Sequence, residues 1–369
     1  MQERAARWVG TMSGHSHNAH VTVAHVDSWA GPGTNDVVDR RDLEERENQL
    51  LSPLATRAHG SGYRLVEEEP DPWRTCFERD RDRILHSPAF RRLAGKTQVF
   101  IFPDDHQRTR LTHALEVAQV AVSIARPLGL NTTLTEAIAL GHDCGHGPGG
   151  HASEDALSPY VDGGFEHSTW GSDVTLSPLN LCRETLDGIR NHSWSRPAPM
   201  TPEGEVVSWA DRIAYVCHDF EDAVDAHIIT LDDLPADVVA LAGRSRRDQL
   251  SSFIVSMIRG TATTGRIGME PDNAHTLARF RQFNYERVYL REESKRQAEQ
   301  VITLLRALVD FYCTEPRHLP LGTQLESGDT TTQQAAVAYV AGMTDRFACR
   351  QAITRLGWDE SRLPQGIDV

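Results

Sequence analysis

Apolar positions along this chain recur at helical rather than strand spacing. In residues 110–125, Leu111, Leu115, Ala118, Val122 and Ala125 fall at three- and four-residue steps, which marks one face of an amphipathic helix. A second helix is expected through Ala137, Ile138 and Leu140 to His142, capped by Thr132 or Thr133. Residues 205–226 read as a third helix, 278–312 as a long fourth and 333–356 as a closing one. No turn dipeptide is flanked by alternating apolar runs, so no hairpin is expected. The pattern predicts an all-α fold. Residues 1–45 show little periodicity and are expected to be a mobile or poorly structured tail. A helical core over 46–235 would follow, with a C-terminal helical part over 236–369 packed on it.

Composition narrows the function classes. The chain has 369 residues and a formal charge of −14, which weighs against coating nucleic acid through a global basic surface. A local basic pocket remains open: residues 79–113 are net positive, whereas 201–240 are strongly acidic. Arg79, Arg81, Arg83, Arg91 and Arg92 read either as a solvated face or as a phosphate or subunit contact. The six cysteines form no CxxC pair, so a reducing, cytoplasmic compartment is expected. No apolar run reaches membrane-spanning length, and no signal peptide is expected. Histidine is the excess residue: there are 17, and five lie between His113 and His167.

That clustering points to a metal or acid–base site. The run Gly95-Lys96-Thr97 imitates the end of a phosphate-binding loop but lacks its first glycine, because position 90 is Phe. The spaced set His113, His142, Asp143 and Asp211 offers two imidazoles and two carboxylates, which suits one divalent ion such as Mn, Mg, Fe, Co or Zn. Each residue alone has an ordinary structural reading. Gly141 and Gly145 ease the backbone around the His142-Asp143 pair.

The flanking sequence resembles the HD superfamily of metal-dependent phosphohydrolases, and within it the dGTPase (deoxyguanosinetriphosphate triphosphohydrolase-like) family. The resemblance rests on FRRLAGKTQVF (90–100), RTRLTHALEVAQ (108–119), GHDCGHGPGGHASEDAL (141–157), GGFEHS (163–168), EGEVVSWADRIAYVCHDFEDAV (203–224) and VAGMTDRFA (340–348). It implies a helical HD fold and a metal held by His113, His142, Asp143 and Asp211. It also implies hydrolysis of a deoxynucleoside triphosphate (dNTP) to deoxynucleoside and inorganic triphosphate. His151 matches the catalytic histidine, with Glu154 as its proton-transfer partner; His146 and His167 match pocket positions. By the same match Arg110, Arg212, Tyr215, Asp219 and Gln98 would contact phosphate or sugar. Family members commonly form homo-oligomers, often hexamers. Two departures stand out: Gly149 replaces a common aromatic, and Ser168 a common Asn. The alternatives are an HD nucleotidase or phosphodiesterase for another nucleotide, or a nucleotide-sensing module without turnover.

Overall fold

A computed structural model of the chain describes residues 2–11, 14–29, 31, 33, 37–320 and 329–366. They divide into two units, 1–38 and 39–369.

The first unit carries structure that the patterning did not suggest. Gln2–Thr11 is helical, with the Arg4 guanidinium 4.9 Å from the Trp8 ring centroid. His15–Asn18 pairs antiparallel with Val21–Val23. The Asn18 side chain supplies the turn chemistry that no Gly dipeptide signals: its Oδ1 accepts the His20 and Val21 N–H groups.

The second unit begins inside the stretch expected to be a tail. Arg40–Leu50 is a helix with Asp39 and Asp42 in a capping box. Beyond it the described residues of this unit are helical and irregular, as an all-α fold requires. The central layer is three helices, Arg110–Ala125, Thr132–Gly141 and Pro202–Asp225, packed on one another. The expected apolar face of Arg110–Ala125 is rotated. Leu115 is 48% exposed, while Ala114, Val117, Ala118, Ala121 and Ile124 are buried. Small side chains let the neighbouring backbones come close, and close packing wins over the larger Leu. The same rotation turns Arg110 and His113 inward.

Two expected long helices are broken. Residues 278–312 form Pro271–Asn284, a wide turn over Tyr285–Tyr289, and then Glu292–Thr314 after an extended Arg291. Wide turns of this kind re-aim side chains inside a helix. Residues 333–356 form Thr330–Ala341 and Asp345–Leu356, interrupted at Gly342. The expected boundary near residue 235 does not divide the core either. Phe253, Met257, Leu277 and Phe280 join the same apolar cluster as Ile213 and Phe220, whereas a second cluster forms around Leu304, Leu308 and Val337.

The cap of Thr132–Gly141 is Asn131 rather than Thr132 or Thr133. Its Oδ1 accepts the Thr133 and Leu134 N–H groups, both at 3.1 Å, and its Nδ2 donates to Glu47 Oε1 and to the Thr56 carbonyl, both at 3.0 Å. All four hydrogen-bonding positions of this buried amide are used. Asn131→Ala would orphan buried partners on both sides and is expected to cost about 2–4 kcal/mol, read as a lowered urea midpoint.

Candidate active site

Three helices deliver the site. The first turn of Arg110–Ala125 supplies Arg110 and His113. Thr132–Gly141 ends at His142, so His142 and Asp143 leave the helix side by side. The middle of Pro202–Asp225 supplies Asp211, Arg212, Tyr215 and Asp219. The turn after Asp143 packs backbone against backbone. A Cβ on Gly145 would lie 1.9 Å from the His167 carbonyl oxygen and 2.4 Å from the Gly171 nitrogen, so only glycine fits there.

The four expected metal-binding residues meet. His113 Nε2 lies 3.0 Å from Asp211 Oδ1, and His142 Nε2 lies 3.6 Å from the same oxygen and 3.5 Å from Asp143 Oδ1. His113, His142 and Asp211 form one group whose donor atoms lie within 4.8 Å of each other, and His142, Asp143 and His192 form another. His142 Nδ1 contacts the Ala139 carbonyl at 2.6 Å, which leaves Nε2 as the lone-pair atom facing the carboxylates; Nε2 is buried without a hydrogen-bond partner. A second-sphere carbonyl of this kind is how metal-binding imidazoles are oriented. The donor set therefore fits a divalent cation. Burial opposes a charge on Asp211 and Asp143. The hydrogen bond from His113 nevertheless holds Asp211 well below the usual carboxylate range, and the charge of Arg110 does the same for Asp143.

A second histidine–carboxylate group adjoins the first. His146, His151, Glu154 and His167 bring their donor atoms within 4.8 Å of one another. His151 immediately precedes the Ala152–Leu157 helix, and its Nδ1 is 3.4 Å from Glu154 Oε2. Glu154 Oε1 accepts from the His167 backbone N–H at 2.9 Å and lies 2.5 Å from His167 Nδ1. One carboxylate thus orients two imidazoles. Burial would raise its pKa, but the His151 and His167 hydrogen bonds keep it ionised. His146 stacks on His167 at 3.7 Å, and burial, with the Arg110 charge next, holds it neutral. The His151 side chain is 74% exposed, open to whatever enters.

A pocket of about 420 Å³ joins these groups to Gln98, Arg212, Tyr215 and Asp219. Arg110 lines it too, but its Nη1 is committed to Asp143 Oδ2 at 2.6 Å. Arg212 makes no ion pair among the described residues; its guanidinium lies over the Trp194 ring at 3.5 Å. The Tyr215 hydroxyl accepts from Arg281 Nε at 2.6 Å. Of 13 buried side-chain atoms without a partner among the described residues, seven belong to pocket-lining residues, including Gln98 Oε1 and Asp219 Oδ1. Each such orphan costs about 1–3 kcal/mol, so their concentration marks a place shaped for a polar ligand.

His192, Tyr289, Arg281, Arg291 and Trp194 line this pocket and were not expected from sequence. His192 Nε2 lies 3.2 Å from His167 Nε2. The histidine of RNHSW is its only sequence signal; the wide turn that aims Tyr289 inward has none. Other expectations resolve plainly. Arg79 and Arg83 share Glu68 away from the pocket lining. Cys144 is buried, and its burial pushes the thiol up to about 12, as a packing residue requires. Gly149 leaves no room for an aromatic: its φ is +73°, and a Cβ would meet Val301 at 2.5 Å.

Comparison with known proteins agrees with this geometry. The HD domain family matches residues 110–216, and the phosphohydrolase-associated domain matches 267–353. A deoxyguanosinetriphosphate triphosphohydrolase-like protein of Caldanaerobacter subterraneus subsp. tengcongensis is 41% identical, covering 84% of this chain and 93% of its own length. One from Clostridium perfringens (strain 13 / Type A) is 36% identical, covering 85% and 96%. The chain belongs to the deoxyguanosinetriphosphate triphosphohydrolase-like family of HD-domain proteins. Membership in this family makes it a hydrolase of the metal-dependent phosphohydrolase class. Among the described residues, no helix is long and apolar enough to cross a membrane.

Burial drives the Asp219 carboxyl up to about 8, against the hydrogen bond that Tyr289 donates to it at 2.5 Å. A carboxyl raised in the folded state contributes stability below its unfolded pKa and loses it as pH rises through the folded value. Asp219→Asn removes that loss. It is expected to raise the melting midpoint more at pH 8.5 than at pH 5, as measured by calorimetry at the two pH values.

Proposed function

We propose that this hydrolase acts on deoxynucleoside triphosphates. Water attacks the α-phosphorus, the bond from phosphorus to the sugar 5′-oxygen breaks, and deoxynucleoside and intact inorganic triphosphate leave. The observation that carries this reading is one continuous pocket that runs from the buried His/Asp cluster, past His151, to Arg212, Tyr215 and Asp219. The names of the relatives point to the same substrate class.

His113, His142, Asp143 and Asp211 would hold one divalent cation. When bound, such an ion lowers the pKa of a coordinated water and draws charge from a phosphoryl oxygen. Mn, Mg, Fe, Co and Zn all suit two nitrogens and two oxygens. His151 carries a proton at the reaction centre while Glu154 fixes its orientation. His146 and His167 complete that wall. Arg212 supplies positive charge to the triphosphate, because no carboxylate pairs with it among the described residues. Arg110 acts mainly through Asp143. Asp219 and Gln98 present polar atoms to the sugar. On the family resemblance we also read the chain as a cytoplasmic homo-oligomer, which light scattering checks.

The test is product analysis with all four dNTPs, singly and mixed, in Mn, Mg and Co. The expected product is intact triphosphate. Orthophosphate or pyrophosphate alone would point instead to a nucleotidase or phosphodiesterase. Binding without any product would point to a sensor. His151→Ala is expected to keep its metal and lose about 100-fold or more in kcat, whereas His142→Ala loses the metal, read by elemental analysis of the purified variants.

A further inference from the structure

A second pocket, outside the candidate active site, opens where the expected last helix is broken. It measures about 470 Å³ and is lined by Arg92, Tyr339, Gly342, Met343, Thr344 and Phe347, with Ala338 at its edge. Its walls are mostly apolar and aromatic, with Thr344 and one cation, Arg92, as the polar members. Arg92 has no ion pair and no hydrogen bond among the described residues, and its Nε is buried without a partner. Nη2 would lie 3.9 Å from a Cβ placed on Gly342, so the guanidinium sits beside the break in the helix. Arg92 is thus a half-buried arginine without a carboxylate outside the candidate active site. Arg64, Arg108 and Arg110 each hold an acid at 2.7 Å or less, and Arg212, which like Arg92 pairs with none among the described residues, lines the candidate active site.

The position of the pocket gives it reach. Four residues after Arg92, the buried Lys96 donates to the carbonyls of His146 and Ala341. Asp345, just past the pocket, accepts from the Thr97 backbone at 2.8 Å, the Thr97 hydroxyl at 2.6 Å and the Gly149 backbone at 2.8 Å. Both walls of the break are therefore hydrogen-bonded to the turn that carries His146 and Gly149.

We propose that this pocket is an accessory binding site for a small ligand with one anionic head and a flat apolar body. The head would pair with Arg92, and the body would lie between Tyr339, Met343 and Phe347. One guanidinium matches a phosphomonoester or a carboxylate; a triphosphate would need further cations that the pocket does not offer. A nucleoside monophosphate is a ligand of this class, and its ring suits the aromatic walls. Bound there, it would lie beside the segment whose Ala341 carbonyl, through Lys96, and whose Asp345 carboxylate are tied to the His146–Gly149 turn.

Hydrogen–deuterium exchange on the full chain tests this without relying on any catalytic activity. The probes are dGMP, benzoate, deoxyguanosine and inorganic phosphate, each titrated against the wild type and Arg92→Gln. The expected result is slowed exchange in residues 338–347 of the wild type with dGMP or benzoate. Half-saturation should be at least tenfold weaker for deoxyguanosine and for phosphate, and Arg92→Gln should lose the protection. Protection by dGMP alone assigns the head as a phosphomonoester, and by benzoate alone as a carboxylate. The proposal is overturned if neither probe protects this segment, if deoxyguanosine protects it as well as dGMP does, or if Arg92→Gln responds like the wild type. It is also overturned if the segment becomes protected merely on raising protein concentration, which would mean that a second copy covers the pocket. Arg92→Gln should keep the wild-type melting profile, so a lost response is not a folding defect.

Discussion

The site is organised around one buried carboxylate. Asp143 has almost no solvent contact, yet it is ionised. A buried charge without partners would cost several kcal/mol. Asp143 avoids that penalty through Arg110 at 2.6 Å and His146 at 3.2 Å, with His113, His142 and His167 close by. Those partners come from the Arg110–Ala125 helix, the turn after Gly141 and the His167 segment. None of these elements can move far without uncovering the charge. The glycine contacts of the turn and the alanine-rich face of Arg110–Ala125 serve the same end, since both bring backbones close enough for short polar reaches.

From this centre the polarity of the pocket changes in steps. Around Asp143 and Asp211 the groups are largely buried, and the two carboxylates are paired although His142 Nε2 and His146 Nδ1 are not. At His151 the imidazole is exposed, held by a carboxylate that also holds His167. Farther out lie side chains with unmet hydrogen bonds, Gln98, Arg212 and Asp219. A buried His/Asp cluster that could hold a metal, an accessible imidazole and a rim with unsatisfied polar atoms suit the binding of a charged, polar molecule by one end. The orphaned atoms destabilise the free protein and are retained where a ligand would complete them.

The legibility of these features differed by the range of the interaction behind them. Asn131 capped its helix in place of the neighbouring threonines because Glu47 and Thr56, far off in sequence, fill its remaining hydrogen bonds. The face of Arg110–Ala125 was misjudged because side-chain size outweighed periodicity. The long pattern over 278–312 is helical throughout, so nothing local announces the wide turn at Tyr285–Tyr289. The hairpin over residues 15–23 depends on one Asn side chain, a weaker signal than a Gly dipeptide.

The sequence by itself determined the all-α class, the family, and the His113, His142, Asp143 and Asp211 set. Helical periodicity is local and survives without coordinates, whereas the family and the four-residue set rest on the resemblance of the flanking motifs rather than on spacing alone. Only the tertiary structure decided that Arg110 serves Asp143 first, that His192 and Tyr289 belong to the pocket, and that Arg92 is left without an acid. These are outcomes of contact between segments distant in the chain. A local pattern carries no record of which carboxylate a given arginine will reach.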